Sequence, residues 1–370
     1  MAIAHPAAAD PELKLSAAYV VDVSGPVSGG RARGGRALDN LLIGLGGPVS
    51  GTPGATFQVS LLNNSGGSPN DLAGALQGVD NIEVTRPRGR IYEAWINQDF
   101  DSGSLRIGLY DLNSEFYSNP SAGLLIAPAF GIGSELAATG PNGPSIFPST
   151  ALAARLRVEP GKDFYLQAAI LGAKAGVIGD PGGVDLTFSD GILSVAEAGW
   201  TGRGKLAIGA WRYSRRQPTL SPSGPLTRGL DTSWAYGGYL LLDQPVRGHD
   251  GDVRSISAFL RLGMSDGETT PFNGGGQAGV VVKRVFDARP ESALSFGVSQ
   301  GRLGANFRQG LHDAGIEPAA AEYAAELTYA DTLSDRVTLQ PSVDVVRAAG
   351  GDHRAKDEVI LTLRVRINLK

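Results

Sequence analysis

From Leu361 to Lys370 the chain keeps a two-residue beat: Leu361, Leu363, Val365, Ile367 and Leu369 alternate with Thr362, Arg364, Arg366, Asn368 and Lys370. Successive side chains of a strand point to opposite faces, so this segment has one apolar wall and one charged wall. Alone it suits a water-soluble sheet as well as a membrane strand. The alternation recurs in sixteen segments, at about 13–23, 37–45, 55–63, 89–99, 104–111, 151–158, 163–172, 191–200, 204–213, 234–243, 253–264, 276–285, 292–300, 321–330, 335–345 and 357–369. Most are roughly 8 to 12 residues, the length a tilted strand needs to cross a hydrocarbon core.

The connections alternate too. Those after even-numbered segments are short, as in Asp101-Ser102-Gly103, Glu159-Pro160-Gly161-Lys162, Thr201-Gly202-Arg203 and Asp331-Thr332-Leu333-Ser334, with somewhat longer ones at 46–54, 244–252 and 286–291. Those after odd-numbered segments are mostly long, and 112–150 is the longest. Short turns on one rim, long loops on the other and an even strand count predict an all-β fold: a transmembrane antiparallel barrel of about sixteen strands with periplasmic turns and extracellular loops. The barrel takes residues 13–370 as one domain, after an N-terminal tail at 1–12.

Composition agrees with this reading. The 370 residues include 52 Gly, 22 Pro and no Cys, with a formal net charge of −4. No apolar run is long enough for a membrane helix, and polar alternate residues hide a lipid-facing wall from the mean hydropathy. Without Cys there are no disulfides or thiolate metal sites, and the small, evenly mixed charge gives no footprint for nucleic acid. Ala2 to Asp10 lacks the charged start and apolar core of a secretory signal; Ala7 to Ala9 reads as the remnant of a small-residue cleavage site, with a cytosolic start as the alternative.

Parity assigns the faces. In the fourth segment Tyr92, Ala94 and Ile96 form the lipid set, turning Glu93, Trp95 and Asn97 inward; in the fifth, Leu105, Ile107 and Leu109 face lipid, and Arg106, Gly108 and Tyr110 face the lumen. A tight turn joins the two, so Glu93, Trp95, Arg106 and Tyr110 share a patch of wall. The same rule puts Arg155, Arg157, Trp211, Tyr213, Phe259, Arg261 and Glu326 inside. Arg offers a rigid donor fork, Glu accepts, and an aromatic ring offers a flat surface, the mixture that a sugar's hydroxyls and CH face require. A solvated lumen also carries inward charges whatever it passes, and an inward ring can simply buttress a loop.

Segment 112–150 is too long for a turn. Asn113, Glu115, Phe116 and Asn119 lie in its polar-aromatic opening, and Leu124 to Phe130 is apolar enough to need burial. Folding into the barrel would bury that run and narrow the channel; an external cap over the mouth is the alternative. The four His, at 5, 249, 312 and 353, lie in the tail or in connections without paired ligand spacing, which disfavours a metal site or a His-based triad. No cofactor is expected. The stretch Gly29-Gly30-Arg31-Ala32-Arg33-Gly34-Gly35 lacks the Lys and Ser/Thr of a phosphate loop and reads as a basic loop at the external rim.

One region goes beyond pattern. Residues 91–99 (Ile-Tyr-Glu-Ala-Trp-Ile-Asn-Gln-Asp), 105–120 (Leu-Arg-Ile-Gly-Leu-Tyr-Asp-Leu-Asn-Ser-Glu-Phe-Tyr-Ser-Asn-Pro) and Ser145-Ile146-Phe147-Pro148-Ser149, with Phe259-Leu260-Arg261-Leu262-Gly263 and Leu339-Gln340-Pro341, resemble the carbohydrate-selective, OprB-like porins of Gram-negative outer membranes. The resemblance is dense over 89–160, looser towards the C-terminus and weak before residue 37. It implies a sixteen-stranded porin in outer-membrane lipid that passes small sugars passively, with 112–150 as the constriction loop. Assembly as a monomer or a homotrimer stays open, trimers being common among porins. Such barrels usually end in an aromatic residue, whereas this chain ends in Leu369-Lys370. The competing readings are a non-selective porin, an outer-membrane barrel enzyme and a secreted soluble β protein.

Overall fold

The structure, a computed structural model, describes residues 12–220, 228–248 and 254–369. Its first nine strands are β1 (Lys14–Ser28), β2 (Arg36–Pro48), β3 (Ala55–Gly66), β4 (Gly89–Phe100), β5 (Gly103–Tyr110), β6 (Ala151–Gly161), β7 (Phe164–Gly172), β8 (Ile192–Trp200) and β9 (Lys205–Tyr213). The short strands β10 (Gln217–Leu220) and β11 (Arg228–Ser233) pair only with each other, as a hairpin outside the main sheet. The series continues with β12 (Tyr236–Arg247), β13 (Ser255–Ser265), β14 (Phe272–Lys283), β15 (Ala293–Leu303), β16 (Ala321–Ser334), β17 (Val337–Arg347) and β18 (Glu358–Asn368). Leaving out the β10–β11 hairpin, these strands form one closed antiparallel barrel of sixteen. β1 closes it against β18, with Val21 opposite Val365 and Asp22 opposite Arg364. Closure leaves no edge strand, which is the condition for crossing a membrane with sheet.

All sixteen expected segments fall on barrel strands. The turns after β4, β6 and β16 are short, while residues 67–88, 111–150 and 173–191 run long at the opposite rim. Parity holds along most strands. In β18 Leu361 and Leu363 are exposed on the outer wall, while Thr362 and Arg364 are buried inside; in β7 Phe164, Leu166 and Ile170 are exposed, while Tyr165 and Gln167 are buried. An apolar exterior with a polar interior inverts the pattern of a water-soluble protein and matches lipid as the outer solvent.

Tyr92 departs from the expected faces. Between β3 and β4 the register shifts, so that Ser60 faces Glu93 and Leu61 faces Ile91, and one residue of β4 is left over. At this bulge both Tyr92 and Glu93 turn inward, Tyr92 being buried with its hydroxyl 2.5 Å from Asp111 Oδ2, while Ile91 takes the outer face. A bulge puts two residues against one and re-aims a side chain, which a strict period of two cannot foresee. Leu109, expected against lipid, is buried between Ala94 and Leu152 of the flanking strands.

Inside the barrel lie two inserted connections. The longer, 111–150, contains the short helix α2 (Ser134–Ala137) and three single 3-10 turns; the shorter, 67–88, contains the helical turn α1 (Asn70–Ala73). A third helix, α3 (Ala305–Asp313), joins β15 to β16 and carries His312, while His353 lies in the connection after β17. His5 and His249 lie outside the described residues, as does most of the expected tail at 1–12.

Candidate functional site

The patch expected on β4 and β5 forms around a stacked arginine. Trp95 faces Gly108 and Asn97 faces Arg106 across the pair. Gly108 has φ +141°, and a Cβ there would sit 2.2 Å from the Ala94 carbonyl oxygen and 2.6 Å from Trp95 Cα. Glycine is therefore what allows the two strands to close up beneath the indole. The Arg106 guanidinium carbon lies 3.9 Å from the Trp95 ring centroid and 5.4 Å from that of Tyr110. Trp95 Nε1 donates to Glu93 Oε1 at 3.3 Å, and the same oxygen accepts from the Asp111 backbone N–H at 3.3 Å. Trp95 thus presents a guanidinium-capped ring, not a bare one. Arg106 is 5% exposed, and its Nε and Nη1 make no hydrogen bond.

Glu115 of the inserted segment completes the group. Its carboxylate receives Arg155 Nε at 2.8 Å, Arg155 Nη2 at 3.0 Å and the Tyr110 hydroxyl at 2.5 Å, and lies 3.6 Å from Arg106 Nη1. Burial resists its charge, but Arg106 and Arg155 outweigh burial and hold the carboxyl below its ordinary range. Asn97 accepts from Arg155 Nη2 at 3.3 Å and donates to Asp99 at 2.8 Å. Arg157 lies 4.3 Å from the Tyr165 ring centroid and donates to Glu159 at 2.9 Å and Gln167 at 3.1 Å.

The other inward residues are occupied by the inserted segment. Arg261 donates to the carbonyls of Ala129 and Phe130 at 3.4 and 3.0 Å, and Glu326 accepts the backbone N–H groups of Ile126 and Ala127 at 2.7 and 2.9 Å. Phe259 meets Phe130 edge to face at 6.4 Å. Trp211 and Tyr213 belong to the apolar cluster that holds Phe116, Tyr117 and Leu136. Asn119 reaches the Leu242 and Leu260 carbonyls at 3.4 and 3.2 Å, and Asn113 donates to the Phe116 and Tyr117 carbonyls at 3.2 and 3.4 Å. The segment therefore runs along the inner wall from β6 to β17 instead of capping the mouth, and the apolar run Leu124 to Phe130 is buried there.

Three anchors escaped the sequence reading. Glu197 on β8 accepts from the hydroxyls of Tyr165 and Tyr239 at 2.6 and 2.8 Å, from Gln167 at 3.1 Å and from the Tyr117 backbone at 3.0 Å, with Lys205 Nζ 3.5 Å away. A carboxylate in the middle of the small, apolar Ile192–Trp200 strand is the available signal. The second is a notch: a Cβ on Gly263 would lie 1.9 Å from Glu135 Oε1, so this glycine of β13 admits the Glu135 and Tyr117 pair of the inserted segment. The third is the 67–88 connection. Arg364 on β18 grips Asp22 at 2.6 Å and Asn81 at 2.7 Å, Glu322 accepts the Leu76 and Gln77 N–H groups at 2.8 Å each, and the Asn81 N–H reaches the Ile126 carbonyl at 3.0 Å. The two inserted connections thus brace each other.

Comparison with known proteins places this arrangement. The structure of Pseudomonas putida OprB at high pH superposes with a TM-score of 0.86 at 20% identity, covering 96% of this chain and 94% of that one. The outer membrane channel DcaP of Acinetobacter baumannii follows at 0.60 and 11% identity, covering 97% of each chain. Porin B of Pseudomonas aeruginosa is 26% identical over 145 residues, a stretch that is 35% of this chain and spans only 32% of that relative's length. The model of the carbohydrate-selective porin, OprB family, matches residues 49–369, which hold fourteen of the sixteen barrel strands, and the chain belongs to that family.

Proposed function

We propose that the chain is a passive pore of the bacterial outer membrane for small neutral carbohydrates, narrowed by segment 111–150 and lined at the narrowing by Glu93, Trp95, Asn97, Arg106 and Arg157. The observation that carries this reading is the pairing of charges at the inner wall: Arg106, stacked on Trp95, faces the part-exposed carboxylate of Glu115, and the part-exposed Arg157 joins the same segment through Gln167. Most donors of Arg155 and Arg261 are taken by the wall and the inserted segment, which leaves Arg106 and Arg157 as the guanidinium groups beside the passage. Recognition then rests on guanidinium donors set against the acceptor Glu115, with Trp95 holding the Arg106 plane in place.

Sugar uptake into proteoliposomes against concentration tests this. The parent should saturate, Arg106→Ala should become linear or nearly so, and Trp95→Ala should weaken saturation by releasing the guanidinium. Linear uptake by the parent would mean a non-selective pore.

A further inference from the structure

At the rim of short turns two arginines find a counter-charge within the chain: Arg289 Nη1 lies 3.1 Å from Asp331 Oδ2, and Arg254 Nη2 lies 3.6 Å from Asp287 Oδ1. At the rim of long loops, Arg302 near the end of β15 and Arg347 at the end of β17 are exposed, share the outward parity of Val298 and Val345, and have no ion pair or side-chain hydrogen bond among the described residues.

Register brings them together. Tyr323 of β16 faces Gln300 on β15 and Arg347 on β17, so Gln300, Tyr323 and Arg347 form one outward row, with Arg302 one step further out opposite Ala321. Two strand spacings put β15 and β17 about 10 Å apart. On the other side, β14 places Gly274 opposite Arg302 and Gly276 opposite Gln300, and beyond these glycines stand the exposed Met264 and Leu262 of β13. The wall is therefore a trench floored by glycine, with apolar side chains on one bank and Gln300 and Arg302 on the other.

The geometry points to this trench and arginine row as a docking surface for a phosphate-bearing glycolipid of the outer leaflet, its acyl chain along Gly274 and Gly276 and its phosphates on Arg302 and Arg347. Arginine stays charged at any physiological pH, and its planar fork matches a phosphate in bidentate fashion. Anionic headgroups supply the counter-charge that the chain does not, and Tyr323 sits where aromatic residues anchor a barrel at the headgroup level. The apolar bank of Leu262 and Met264 lies where an acyl chain packs, a contact that a lipid makes and free phosphate does not. The inference rests on the outer-membrane placement proposed above but not on sugar transport, which the uptake assay reads separately in the same preparation.

Native mass spectrometry of the detergent-solubilised protein, titrated with diphosphoryl lipid A or its dephosphorylated counterpart, tests it. The parent should hold the diphosphoryl lipid with an apparent affinity at least about tenfold above the dephosphorylated one. The Arg302→Gln/Arg347→Gln double variant should lose that preference, and Arg289→Gln at the opposite rim should keep it. Equal binding of the two lipids by the parent would overturn the proposal even if a variant fails to fold. So would an undiminished preference in the folded double variant, or displacement of the lipid by millimolar inorganic phosphate.

Discussion

Arg106 and Arg155 start from the same inward parity on paired strands and end with opposite fates. Arg155 makes a fork onto Glu115 and also reaches Ser104 and Asn97, whereas Arg106 lies on an indole with donors to spare. Their difference comes from Glu115, which the chain delivers from a connection folded back over the wall. Glu326 shows the same logic with the sign reversed, since its carboxylate is the acceptor for two backbone N–H groups of that connection. Glu326→Ala leaves those groups buried without an acceptor, at a cost of about 1 to 3 kcal/mol each. The barrel should still migrate as a folded, heat-modifiable species on a gel, while single-channel conductance rises or fluctuates as the inserted segment loosens. A conductance indistinguishable from the parent's would show that Glu326 does not anchor it.

At the level of elements, the outer face of β5 should behave as lipid contact. Ile107 is 52% exposed and stands beside Ile96, itself 56% exposed, with Ala154 on the other flank. Ile107→Lys should destabilise the barrel by about 2 to 4 kcal/mol, whereas Arg157→Lys on the lumen side of β6, which keeps the charge and loses only the stack on Tyr165 and the hydrogen-bonding fork, should cost clearly less. Denaturant unfolding from lipid vesicles would read both, and equal costs would mean that the faces are misassigned. Gly108 cannot serve as the lumen-side comparison, because its positive φ and the closeness of Ala94 and Trp95 penalise any side chain there. The beat of two was enough to place all sixteen strands, and it failed locally at Tyr92. Hydrophobic alternation reports a regular ladder, while the bulge depends on how β3 happens to register against β4.

For the whole molecule, two inserted connections lie inside the cylinder, anchored on its inner wall. Sixteen strands alone would enclose an aqueous channel, so selectivity has to come from what fills it. Deleting residues 120–129 removes the backbone groups held by Glu326 together with the Ser121 contacts to Asp243, at 2.6 and 2.8 Å. Conductance should rise and sugar saturation fall in planar-bilayer and uptake measurements, with strand content unchanged by far-UV circular dichroism. Unchanged conductance would place the narrowing elsewhere.

The amino-acid sequence by itself determined the barrel strands and their count, though not the β10–β11 hairpin, together with the faces of most of them and the alternation of short turns with long loops. Each of these follows from near-neighbour alternation and connection length, which are local properties of a chain that must satisfy lipid outside and water within. It also brought Glu93, Trp95 and Arg106 together, because one tight turn fixes the pairing of β4 with β5. Tertiary structure alone decided which inward groups remain available. The partners of Arg155, Arg261, Glu197 and Glu326 lie tens to hundreds of positions away, as in the 200 residues between Ile126 and Glu326. The notch at Gly263 exists only once Glu135 reaches it from another part of the chain. A carboxylate or guanidinium in a strand has the same local signature whether it meets a permeant or a folded-back loop, and only closure of the barrel around that loop tells the two apart.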